Sequence, residues 1–154
     1  MNNFQFLGNI ELLKLPKVAF LSSDQFSASG AHKSHDWANE MKLQNQCVIS
    51  GFQSNLERDV FETLLKGAQP IIMALAQCIY DKPPLELKRH IDSGRLLIVS
   101  QFAPEHEHPT RKLAYARNRM ILDLADSLVI AHAQPGGMLE KLIVDYKKPI
   151  TVFD

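Results

Sequence analysis

The feature that most constrains this chain is an alternation. Short apolar runs rich in β-branched residues recur at Lys17–Leu21, Gln46–Ser50, Pro70–Ala74, Arg95–Ser100, Ser127–Ala131 and Pro149–Phe153. Segments of helical length separate them, at Ala31–Asn45, Leu56–Lys66, Pro84–Ser93, Thr110–Leu124 and Met138–Tyr146. Strands that are hydrophobic almost throughout cannot leave either face of a sheet in water, and a helix between successive strands is the crossover that parallel pairing needs. The pattern predicts an α/β fold: a doubly wound, mostly parallel sheet with helices on both faces. Phe4–Leu15 precedes the alternation and reads as a leading strand or edge element. With no repeat, linker or shift in composition, the expectation is one domain over residues 1–154.

Composition narrows the function. Seventeen Lys and Arg residues balance seventeen Asp and Glu residues, which argues against coating nucleic acid by charge alone and leaves room for a local basic patch. Apolar runs such as Ile71–Ala76 are far too short to span a bilayer, and the first residues lack the basic and apolar regions of a secretory signal. No membrane partner is expected, and the location predicted is cytoplasmic. Cys47 and Cys78 lie in apolar surroundings without metal-binding or redox spacing, so both read as buried thiols in a reducing compartment. His106-Glu107-His108 sits in a Pro-flanked loop with no further ligand at zinc spacing; it reads as an exposed polar loop, and no metal is expected.

Ligands of such sheets sit beyond the carboxyl ends of the strands, where turns and helix starts present free amides. Here those turns are Ser22-Ser23-Asp24, Ser50–Asn55, Gln77–Pro84, Gln101–Pro109 and His132–Gly137. Ser50-Gly51 followed by Ser54-Asn55 can cradle a phosphate, with Asn55 tolerant of a left-handed backbone; equally, Ser54 or Asn55 can simply cap a helix whose first turn carries Glu57 and Asp59. Gly136-Gly137 can admit a ligand close to the backbone or make a tight turn. His132 before it can donate to a phosphate or close the sheet end.

In the helix Thr110–Leu124, Leu113, Ala116, Met120, Ile121 and Leu124 fall on one buried stripe. Lys112, Tyr115 and Arg119 share another, with Arg111 and Asn118 beside it: a stripe that can stack a base between cations, or an ordinary solvated face. Arg117 is carried towards the apolar side, so it must reach a strand end or pair with a buried acceptor. The predicted phosphate or ligand site is Ser22, Ser23, Ser50, Gly51, Gln53, Ser54, Arg117, Asn118, Arg119, Gly136 and Gly137. No nucleophile elbow, Walker loop or dinucleotide fingerprint is present, and no carboxylates pair on one helical face. A binding module without a cofactor is favoured over an enzyme.

Taken in order, these turns resemble the DprA/Smf family. Leu7-Gly8-Asn9-Ile10-Glu11-Leu12-Leu13 is similar to its lead-in, Val18–Ser23 to its first strand and turn, and Val48-Ile49-Ser50-Gly51 to its Val-Val-Ser-Gly. Gly94–Leu97 before Ser100-Gln101-Phe102, and Arg117-Asn118-Arg119 before Leu124–Ser127, follow the same pattern; the Arg-Asn-Arg match is the most specific. The resemblance implies a Rossmann-like core, a nucleotide or single-stranded nucleic acid as partner, a role in DNA processing or recombination, and a homodimer. Departures are local: Asp24 stands where the family has Arg, Asn55-Leu56-Glu57 where it has Gly-Ile-Asp, Phe61 where it has His, and Pro135-Gly136-Gly137 where it has Ser-Gly-Ser. Met120, Ala125-Asp126, Pro135-Gly136-Gly137 and Glu140 also resemble the nucleoside-5′-monophosphate phosphoribohydrolases, which implies hydrolysis of an N-glycosidic bond as the alternative activity. The Gly-Thr that follows Pro-Gly-Gly in those enzymes is missing, and Glu140 comes earlier than their register places it.

Overall fold

A computed structural model describes residues 3–154. Its strands are β1 (Gln5–Leu7), β2 (Lys17–Leu21), β3 (Cys47–Ser50), β4 (Ile71–Ala74), β5 (Leu96–Ser100), β6 (Ser127–Ile130) and β7 (Ile150–Val152), and its helices are α1 (Ala28–Gln44), α2 (Asn55–Leu65), α3 (Lys88–Asp92), α4 (Arg111–Leu124) and α5 (Met138–Leu142). The strands form one sheet in the order β1-β5-β4-β3-β2-β6-β7. Every pairing is parallel except that of β1, which lies antiparallel against β5 as the leading edge strand.

Side chains alternate across the strands and build a core on each face. Val18, Phe20, Val48, Ile71, Ile98 and their neighbours pack beneath α1, α2 and α3. Ala19, Leu21, Ile49, Ile72, Leu97 and Leu128 pack against α4 and α5. The doubly wound sheet is therefore as the alternation predicts.

Local chemistry sets the helix ends. Ser27 accepts from the Gly30 amide, which starts α1 three residues before the predicted Ala31. Thr110 accepts from the Leu113 amide and caps α4, whose far end is closed by Lys148 Nζ donating to the carbonyls of Leu122, Asp123 and Ala125. Two helices are shorter than predicted. The Pro84–Ser93 segment opens with a 3-10 turn, Leu85–Leu87, before α3, and the predicted Met138–Tyr146 helix ends at Leu142.

Away from the ligand edge, Arg95 locks the end of α2 to the start of β5. Its guanidinium donates to the carbonyls of Leu64, Leu65 and Gln69, and Nη1 lies 3.1 Å from Nδ1 of the buried His90. Of the two thiols, Cys47 is buried as predicted. Cys78 is only half-buried, because it lies in the loop after β4 rather than within the sheet. Among the described residues no helix is long and apolar enough to cross a membrane, and no group of potential metal ligands gathers.

Candidate functional site

The chain leaves β2 for β3, β4 and β5 on one side and returns to place β6 on the other, so the strand order reverses between β2 and β6. The turns at that point are tied together: the Ser23 amide donates to the His132 carbonyl at 2.8 Å, and the Gln134 amide donates to Ser23 Oγ at 2.9 Å. Beside them opens a cleft of about 400 Å³. Its walls come from the turn after β2 (Ser22, Ser23, Asp24), the turn after β3 (Gln53, Ser54), the first turns of α4 and the start of α5.

Arg117 forms the floor. Only 4% exposed, it donates from Nε to Asn118 Oδ1 at 2.8 Å, from Nη1 to the Ala74 carbonyl at 3.2 Å and from Nη2 to Gln53 Oε1 at 2.9 Å. Burial lowers its pKa, while the nearby Glu57 charge raises it. Asn118, placed by sequence beside the solvated stripe, is buried and donates to Met138 Sδ at 3.5 Å, joining α4 to α5.

The turn after β3 differs from the predicted phosphate cradle. Ser54 and Glu57 form a reciprocal capping box, in which Ser54 Oγ accepts from the Glu57 amide and Glu57 Oε1 accepts from the Ser54 amide. Glu57 goes further: Oε1 also accepts from the Gln53 amide at 3.0 Å, and Oε2 from the Ser22 amide at 3.0 Å. The capping alternative by Ser54 therefore holds here, and a buried carboxylate fills the place that the cradle reading gives to an external anion. The residue with a left-handed backbone is Phe52, at φ 49°, not Asn55, which is the first residue of α2. Phe52 is held there by its amide donating to Ser50 Oγ and by its ring against Phe61, with centroids 4.5 Å apart.

Ser22, Ser23, Gln53, Ser54, Arg117, Asn118 and Gly137 meet at the cleft, while Ser50, Gly51, Arg119 and Gly136 do not line it. Ser50 is consumed by the turn. Gly51 lies against the Arg117 guanidinium, where an added Cβ would clash with Cζ, so the close approach that this glycine permits is to a side chain. Arg119 is exposed on the outer side of α4. The Gly136 amide donates to Glu140 Oε1, which ties Glu140 to its own turn and away from the cleft lining. Glu57, Thr110 and Arg111 also line the cleft, although the predicted site leaves them out: from sequence, Glu57 and Thr110 read only as parts of helix starts, and Arg111 only as a neighbour of the outer stripe. The Ser54-x-x-Glu57 spacing and the Pro109-Thr110 start of α4 were the available signals.

A parallel sheet covered on both faces, with a cleft where the strand order reverses, defines a Rossmann-like α/β domain. Within that class, the family described as DNA recombination-mediator protein A matches residues 4–147, and the chain belongs to it. It is 30% identical over 133 residues to the DNA processing protein DprA of Streptococcus pneumoniae, covering 84% of this chain and 46% of that relative. The X-ray structure of DprA from S. pneumoniae superposes with a TM-score of 0.75 at 22% identity, covering 97% of this chain and 54% of that one. Helicobacter pylori DprA, whose structure is described for its single-stranded DNA binding mode, gives 0.75 at 22% identity, covering 97% and 70%. The molybdenum cofactor binding protein of Rippkaea orientalis has a similar fold, at 0.61 and 13% identity over 90% of this chain and 76% of that one. The chain spans about half the length of the S. pneumoniae protein.

Proposed function

We propose that this chain binds single-stranded DNA, in a DNA-processing or recombination role inside the cell, with a base entering the cleft and the adjoining phosphate held at the start of α4. The observation that carries this reading is the convergence of two turns and two helix starts on the cleft, in a chain whose family includes an H. pylori relative described as binding single-stranded DNA. Ala114 and Met138 supply apolar surface for a base, and the exposed Gln53 supplies a polar edge. The start of α4 lines the same cleft through Thr110 and the exposed Arg111, a setting that suits an anion. Asp24, which also lines the cleft, works against it. Free thiols at Cys47 and Cys78 suit a reducing cytoplasm.

Fluorescence anisotropy with a labelled oligodeoxythymidylate tests the reading. Arg111→Ala should weaken binding and Asp24→Asn strengthen it. Few cations border the cleft, so one or two phosphates are neutralised, and the log–log salt slope should be about −1. Binding lost only in Tyr115→Ala would move the site to the outer stripe of α4, and no binding at all would reject it.

A further inference from the structure

We infer that Glu57 is a built-in anion that makes the deep end of the cleft selective against a phosphate-terminated ligand; the selectivity rests on the DNA-binding reading, whereas the anion replacement itself does not. An ordinary capping carboxylate satisfies the start of its own helix. Glu57 does that and also takes the Ser22 amide from the turn after β2, so its two oxygens collect amides from two separate turns. The residue is 4% exposed, borders the cleft and lies within electrostatic reach of the buried Arg117. Convergent amides beside a guanidinium make a setting suited to an oxyanion. Here the oxyanion is part of the chain.

Two consequences follow. A phosphate entering at this end finds no free amide on Gln53, Ser54 or Ser22 and meets a like charge. The part of a ligand that reaches this depth must therefore be uncharged, a base or a sugar, with phosphates restricted to the α4 side. Removing the carboxylate should free the amides and turn the place into a genuine oxyanion site.

The test uses the full chain and two probes. Inorganic phosphate at constant ionic strength should raise the melting temperature of Glu57→Ala more steeply than that of the wild type, since binding to the native state alone stabilises it; the general salting-out effect of phosphate acts on both and cancels in the difference. Equal slopes would overturn the proposal. The second probe is a pair of short oligodeoxythymidylates, one with hydroxyl ends and one carrying a terminal phosphate at the 5′ or 3′ end. Wild type should gain nothing from either terminal phosphate, whereas Glu57→Gln, which keeps the side-chain shape without the charge, should bind one phosphorylated form more tightly. A wild-type preference for a phosphorylated end would also overturn it. Should Glu57→Ala not fold, Glu57→Ser, which also vacates the amides, takes the phosphate titration with the same criteria, and Glu57→Gln still decides the oligonucleotide comparison. Failure of every oligonucleotide to bind would reject the DNA-binding reading, while the phosphate titration would still decide the role of Glu57.

Discussion

At the scale of single residues, the cleft floor depends on one contact that leaves no room for a side chain. Gly51 lies against the Arg117 guanidinium, each of whose three nitrogens donates one hydrogen bond. Gly51→Ala should displace Arg117 and destabilise the fold by about 1–3 kcal/mol, the usual cost of overpacking. Urea denaturation should show a lower midpoint with an unchanged slope, and an unaltered midpoint would mean that Arg117 has other room. The two thiols should separate equally clearly. Burial pushes the Cys47 thiol up to about 12, despite the opposing influence of Lys17, while Cys78 is half-exposed in its loop. A thiol-alkylating reagent should modify Cys78 first and reach Cys47 only as the protein unfolds. Equal rates in native protein, followed by mass spectrometry, would contradict that assignment.

At the scale of elements, the lock between α2, α3 and β5 carries a pH dependence. His90 is held below its ordinary pKa by burial, then by the neighbouring charges of Arg95 and Arg89. The folded state therefore resists a proton that the unfolded chain accepts. Stability from this site is complete above the ordinary histidine value of about 6.5, and declines as pH falls through it towards the lowered folded value. Denaturant midpoints measured from neutral pH downwards should fall in the wild type and fall less in His90→Gln. Identical pH profiles would remove His90 from the account. Nothing in the run Arg95–Ser100 announced this clamp. The acceptors of Arg95 are carbonyls at the end of α2 and just beyond it, which meet Arg95 only after β4 and β5 have paired.

At the scale of the whole molecule, the two sheet edges differ. β1 closes one side as a short antiparallel strand. On the other side β7 is exposed along its length, with Val152 52% exposed, and among the described residues it pairs with β6 alone. A strand in that position offers unpaired backbone groups to another chain. We expect a second copy to pair there, which agrees with the dimer that the family resemblance implies. Light scattering should give a mass that rises towards the dimer with concentration, and Val152→Lys should hold the protein at the monomer mass. A single monomer mass for the wild type at all concentrations would dismiss this use of the edge.

The alternation of apolar runs and helix-length segments, read without any structure, determined the α/β class, the extent of nearly every strand and the presence of helices on both faces. Those properties are local: hydrophobic periodicity and capping residues such as Thr110 and Ser54 act over a few positions, and the chain carries them before it folds. Which groups meet in the cleft was decided by tertiary structure. Ser22 is far from Glu57 in sequence, and Gly51 far from Arg117, and each pair is brought together by the parallel pairing of β2 with β3 and by the seating of α4. Spacing could show that amides would converge at the carboxyl edge. The Ser54-x-x-Glu57 spacing could signal a capping box, but not that the Ser22 amide of another turn would join it, because a side chain competes for such a place only once burial has removed the water that would otherwise satisfy it.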